Sequence, residues 1–206
     1  MSAHGGASPR RSGPGGGPIE ESGPAAGEGP AAVVAGEDLA AVAAQLGREP
    51  RGVAGVAHRC DCGLPDVVLT EPRLPDGTPF PTTFYLTCRR ANSAVGSLEV
   101  SGLMARMTER LVTDPDLAAA MEAAHRDYLD RRRSLGEVPE LAEVSAGGMP
   151  ARVKCLHALV GHALAAGPGV NPLGDEALAL LEPWWRSGPC VGGTDRSGVD
   201  DRGPVR

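Results

Sequence analysis

The residues able to do chemistry are five cysteines and five histidines, and their spacing limits what they can build. Cys60 and Cys62 form a C-x-C pair followed by Gly63, in the polar stretch "HRCDCGLPD". Two such thiols in a tight turn can both face one ion, and the following glycine relaxes the backbone. Cys88 closes "FYLTC", and Cys155 lies with His157 and His162 in "ARVKCLHALVGHALAAGPGVNPLGD". Thiolate is the metal-binding form, and helix N-termini favour it. Four sulfurs close a tetrahedral zinc site with bonds of about 2.3 Å, or hold an iron–sulfur cluster. The expected ligand set is therefore Cys60, Cys62, Cys88 and Cys155, with structural zinc as the cofactor and an iron–sulfur cluster as the alternative. The competing role for Cys88 and Cys155, taken singly, is that of small buried hydrophobes. That role explains little for Cys60 and Cys62 in their polar loop.

Helix geometry sorts the histidines. Two residues after Cys155, His157 points about 200° away on a regular helix, so the pair shares an ion only if the helix is irregular there. His162 returns to the face of Cys155, but about 10.5 Å along the axis. His157 and His162 are thus alternates or neighbours of the site. His58, two before Cys60 on an expected strand, shares that cysteine's face and is another alternate. His125 borders an apolar stripe and is read as a solvated or core-edge residue.

A second candidate is an anion site. "GPGVNPLGD" is a glycine-rich approach to a helix N-terminus, which can offer backbone N–H groups to an anion. Its members are Arg152, Lys154, His157, Asn171 and Gly174. A plain link between helices, with an Asn cap and a Pro start, accounts for all of the turn except Gly174. No G-x-S-x-G, Walker-type loop or H-E-x-x-H is present, so no catalytic residue is assigned. Three functional classes stay open. The first is a metal-binding protein. The second is an enzyme on a small anionic substrate with a thiol nucleophile. The third is a protein-interaction module without catalysis.

The elements that must position these groups are short. "GEDLAAVAAQLGR" predicts a first helix. "GVAGVAHRC", "PDVVLTEPRL" and "TTFYLTC" predict three strands, the last two linked by the turn "LPDGTPFP". After Cys88 the period becomes 3.6, with Val95, Leu98, Leu103, Met107 and Leu111 on one stripe. Asp114 and Pro115 cap and open a long helix ending near Gly136. A loop leads to Pro150, which is expected to open a helix ending near Gly167, and Asn171 with Pro172 begins the last one. The fold class is α+β: a small antiparallel sheet followed by about four helices.

Gly and Pro number 29 and 19 in 206 residues, concentrated at the ends. Residues 1–36 and 187–206 are expected to be disordered tails around a single domain at 37–186. No signal peptide is legible, and the apolar runs are too short to span a bilayer. An odd cysteine count argues against a complete disulfide framework, so the cytoplasm is the expected location. With net charge −6 and only two each of Phe, Tyr and Trp, the chain lacks the basic stripe and stacking platform of nucleic-acid binders. Neither nucleic acid nor membrane is expected as a partner.

"RCDCGLP", "FPTTFYLTC", "GGMPARVKCLHALVGHALAAGPGVNPLGD" and "WWRSGPC" together carry a resemblance. Over about residues 38–190 the chain resembles the actinobacterial family catalogued as domain of unknown function 501. Asp61 and Arg89 stand where that family often has proline, which loosens the loops beside Cys60, Cys62 and Cys88. The resemblance implies no activity. It does imply a role for Cys190 as a further family cysteine, folding back as a ligand or substituting for one.

Overall fold

The computed structural model describes residues 34–192. Helix α1 (Gly36–Leu46) precedes three strands, β1 (Val53–Arg59), β2 (Pro65–Thr70) and β3 (Phe84–Leu86). They form one antiparallel sheet in the order β1-β2-β3. As the central strand, β2 is nearly all buried, whereas β1 is an edge and only half-buried. Register shifts at three points along β1, one between His58 and Arg59, bend that edge and re-aim its side chains.

Five helices follow: α2 (Arg89–Glu99), α3 (Leu103–Thr113), α4 (Pro115–Arg133), α5 (Leu156–Ala166) and α6 (Pro172–Ala179). Short 3-10 turns lie at Pro139–Leu141 and Trp184–Ser187. The fold class is the expected α+β, with one refinement. The apolar stripe from Val95 to Leu111 is two helices rather than one. Gly102, at φ 78°, takes the left-handed conformation that only glycine adopts cheaply, and the chain turns there.

Local capping chemistry sets two starts where the sequence puts them. Asp114 accepts from the N–H groups of Asp116 and Leu117, at 3.1 and 3.0 Å, with Pro115 first in α4. Asn171 accepts from Gly174 N–H at 2.9 Å, with Pro172 first in α6. A third start differs: α5 opens at Leu156, not at Pro150, because residues 150–155 are turn and extended chain.

The core lies between the sheet and α5, where Phe84, Tyr128, Met107, Met121, Leu156 and Leu159 are fully buried. Gly161 allows the approach of α5 to β3: a Cβ there would sit 2.8 Å from the Phe84 carbonyl oxygen. Tyr128 ties α4 to the chain entering β3, its hydroxyl accepting from Thr83 N–H at 2.6 Å and donating to Pro81 O at 3.0 Å. Residues 1–33 and 193–206, covering most of the expected tails, lie outside the described part. The described residues after Trp185 still touch the domain. Arg90 donates to Gly188 O, and Gln45 Nε2 donates to Cys190 Sγ at 3.3 Å.

Candidate functional site

The residue that organises the site is Cys155. It is not helical: at φ −154° and ψ 116° it is the extended N-cap of α5. The 200° separation from His157 on a regular helix therefore does not apply, and the two side chains come together. Glu99, the last residue of α2, completes the group. One ligand atom from each of Glu99, Cys155 and His157 lies within 4.8 Å of the others.

The geometry within this group is specific. Glu99 Oε1 accepts from Leu156 N–H at 2.7 Å, standing in for the side-chain cap that Cys155 does not supply. The same oxygen is 3.1 Å from His157 Nδ1, and His157 Nε2 is 3.1 Å from the Asn92 carbonyl. Asn92 and Glu99 are seven residues apart on α2, two turns along one face, so the imidazole lies along that helix. Contact with the Cys155 sulfur, then the Glu99 carboxylate and the Asn92 carbonyl, push the His157 pKa up to about 9 against the opposing effect of burial. Burial tends to raise the Glu99 pKa. The Leu156 N–H, the His157 ring and the Cys155 thiol outweigh it and hold the carboxyl below its usual value.

Sulfur, imidazole nitrogen and carboxylate oxygen are together a donor set for a divalent transition ion, zinc foremost. With Nε2–H donating to a backbone carbonyl, Nδ1 is the nitrogen left to face the other two donors. This is the usual outer-shell support of a metal-binding histidine. Cys155 and His157 also border a cavity of about 330 Å³ that Phe84 and Tyr85 line as well.

The cysteines otherwise sort into pairs. Among the described residues no three of them bring their sulfurs within 4.8 Å of one another, so the fold does not assemble the expected centre of Cys60, Cys62, Cys88 and Cys155. The reason is partly the length of α2. Cys88 caps its N-terminus, while Cys155 meets Glu99 at its C-terminus, roughly 16 Å away for 11 residues. Cys88 instead has Cys190, which folds back from beyond Trp185, as its neighbouring thiol, and Cys60 has Cys62. Burial, the largest influence, pushes the Cys60 thiol up to about 12 and the Cys88 thiol up to about 11. At Cys88 the N–H groups of Ala91 and Arg90 favour thiolate as a helix N-terminus should, but burial outweighs them.

The remaining candidates have other employment. His162 is fully buried and stacked on Phe84, with Nε2 2.9 Å from Asp127 and Nδ1 3.2 Å from Asn171 Nδ2. It is a satisfied core histidine. His125 is a buried partner of Ser145. His58 pairs with Asp66 at 2.7 Å. Of the expected anion set, Arg152 and Lys154 are exposed, His157 lies in the cluster with Glu99 and Cys155, and Asn171 and Gly174 close the start of α6 upon each other.

Glu99 escapes a search of the sequence for cysteines and histidines. Its signal is electrostatic: an acid in the last turn of a helix opposes the dipole, and such a residue needs a positive partner from elsewhere. Here that partner is the N-terminus of α5 with His157.

Neither a curated protein nor a solved structure matches the chain. A family model matches residues 56–179, from within β1 through the Glu99–Cys155–His157 cluster to the end of α6, and the chain thereby belongs to the family described as protein of unknown function, DUF501.

Proposed function

We propose that this domain binds one divalent transition metal, zinc as the expected ion, through Glu99, Cys155 and His157. The observation that carries the reading is the meeting of three different donor atoms within 4.8 Å, with the imidazole fixed by the Asn92 carbonyl. Three protein donors leave a fourth position, on the side of the cavity that Cys155 and His157 border. Closed structural sites carry four protein ligands, and sites that keep a water or substrate position carry three. The reading is thus a metal centre with an exchangeable position, in place of the structural four-thiolate zinc expected from the sequence. One thiolate is too few for an iron–sulfur cluster, which takes four cysteines or, in Rieske centres, two cysteines and two histidines. Five unpaired thiols agree with a reducing, cytoplasmic setting. Among the described residues no helix is long and apolar enough to cross a membrane.

The contact between Cys155 and His157 also favours a second reading, a thiol nucleophile with an adjacent base. Its weakness is that His157 already spends one nitrogen on Asn92 O and the other on Glu99, leaving no nitrogen dedicated to the thiol.

The test is metal analysis of protein purified under reducing conditions, followed by zinc titration against a competing chelator. About one equivalent is expected, with Cys155→Ser and His157→Gln each weakening binding by at least about tenfold. Cys88→Ser should leave it unchanged. Substitution with Co²⁺ should give the absorption of a single thiolate ligand. Stoichiometry below about a tenth, or binding that follows Cys60 and Cys62 instead, overturns the reading. If Cys155 then alkylates rapidly in the metal-free protein and chelator changes nothing, the nucleophile reading takes its place.

A further inference from the structure

A larger cavity, of about 550 Å³, adjoins the one that Cys155 and His157 border, because Leu46 and Tyr85 line both. The sheet accounts for this arrangement. Phe84 and Leu86 belong to the core beside α5, so Tyr85 between them points to the opposite face. There it stands beside Val68, its partner across the strands, and the paired Val53 and Thr70 continue the same wall. Helix α1 ends at this wall with Leu46, where Gly47 turns the chain at φ 68°. The smaller cavity takes lining from both faces of β3, from Phe84 and Leu86 as well as Tyr85. It therefore lies at the free edge of that three-residue edge strand, and joins the outer face of the sheet to the start of α5.

The walls narrow the occupant. Leu46, Val53, Val68, Leu74, Phe80 and Tyr85 make the larger cavity mainly apolar. Its charged residues are Arg48, Glu49 and Arg51, which share one short exposed stretch. Arg51 is neutralised by Asp76 at 2.6 Å, and Arg48 and Glu49 are of opposite sign, so this rim offers a ligand no net charge. No acid, lysine or arginine stands among the described lining residues of the smaller cavity. Its Asn92 already spends a side-chain N–H on Leu86 O, at 3.1 Å. A charged or hydroxyl-rich body would lose its water here and gain no partner, whereas an alkyl body gains from burial. The one strong point of attachment is the metal position at the inner end, and zinc there takes an anionic oxygen where water would otherwise sit.

Building on the metal centre of Glu99, Cys155 and His157, we propose that its exchangeable position receives the carboxylate of a medium-chain aliphatic acid, whose chain runs past Leu46 and Tyr85 into the larger cavity. The head is fixed by the metal, and the chain is selected by the apolar walls.

The probes are butanoate, hexanoate and octanoate, read through the visible absorption of the Co²⁺-substituted protein, which responds to a ligand at the metal. Each added methylene should tighten binding about threefold to fourfold, so octanoate should bind roughly a hundredfold tighter than butanoate. n-Octanol, with the chain but no carboxylate, should leave the spectrum unchanged. Leu46→Trp narrows the junction of the two cavities. It should remove most of the gain from butanoate to octanoate and leave butanoate within about twofold. Should that variant not fold, the wild-type series still decides. Equal affinity for butanoate and octanoate, an octanol response equal to that of octanoate, or a chain-length gain intact in folded Leu46→Trp overturns the proposal. The two readings fail differently: absence of any Co²⁺ band ends the metal centre and the carboxylate site together, whereas a single-thiolate Co²⁺ band with a flat chain-length series ends the carboxylate site alone.

Discussion

Replacing Glu99 by Gln should alter how the stability of the metal-free protein depends on pH. Gln retains a side-chain oxygen that can accept from Leu156 N–H, so the cap on α5 survives. What it removes is the charge beside His157, whose Nδ1 lies 3.1 Å from Glu99 Oε1. The folded pKa of about 9 stands above the ordinary value of 6.5. A raised value means the folded state holds the proton more tightly. The contribution is therefore complete below pH 6.5, and it is lost as pH rises toward 9. At 1.36 kcal/mol per pH unit the ceiling is about 3 kcal/mol, lowered by solvent at a ring that is 30% exposed. Cys155 is the largest cause and Glu99 the next side chain, so Glu99→Gln should remove about 1–2 kcal/mol at pH 6.5 and little at pH 9. For a domain of this size that is roughly 2–8 °C in Tm. Urea denaturation in chelator at half-unit steps from pH 6.5 to 8.5 measures it. Above that range the unfolded thiols of Cys60 and Cys88 ionise while their folded counterparts, at about 12 and 11, do not, and stability falls for that separate reason. His157→Gln should flatten the slope altogether. A wild-type protein with constant stability across this window, or Glu99→Gln falling in parallel with it, refutes the reasoning.

Tyr128→Phe leaves the buried Thr83 N–H without its 2.6 Å acceptor, and denaturant midpoints should show a loss of about 1–3 kcal/mol. Gly161→Ala forces a Cβ against the Phe84 carbonyl at 2.8 Å and should cost about 1–3 kcal/mol in the same experiment. Burial, the largest influence, depresses the His162 pKa, so its contribution is present above pH 6.5 and is lost as pH falls. His162→Gln should remove that part of the acid sensitivity, read from Tm between pH 5 and 6.5. Zinc at about 100 times its Kd should stabilise the wild-type protein by about 2.7 kcal/mol and Cys155→Ser by at most about 1.4 kcal/mol, as thermal melts will show.

What the sequence determines here is what local hydrogen bonds and periodicity control. Asp114 with Pro115 and Asn171 with Pro172 start their helices because each cap bonds backbone only two or three residues away. Strand alternation and the turn residues gave the antiparallel sheet for the same reason. The stripe from Val95 to Leu111 was legible as helix, but not its break at Gly102, since period 3.6 continues across a short turn. Cys155 marks the limit. A helix begun at Pro150 would point it away from His157, whereas one begun at Leu156 leaves it extended and brings the two together. That start is fixed by Glu99, 57 positions earlier, whose carboxylate takes the first free N–H. The grouping of Cys88 with Cys190, and the meeting of two cavities at Leu46 and Tyr85, are likewise decided by segments distant in the chain. Only the tertiary structure decides these meetings, because spacing along a chain says nothing about the length and direction of the elements between its members.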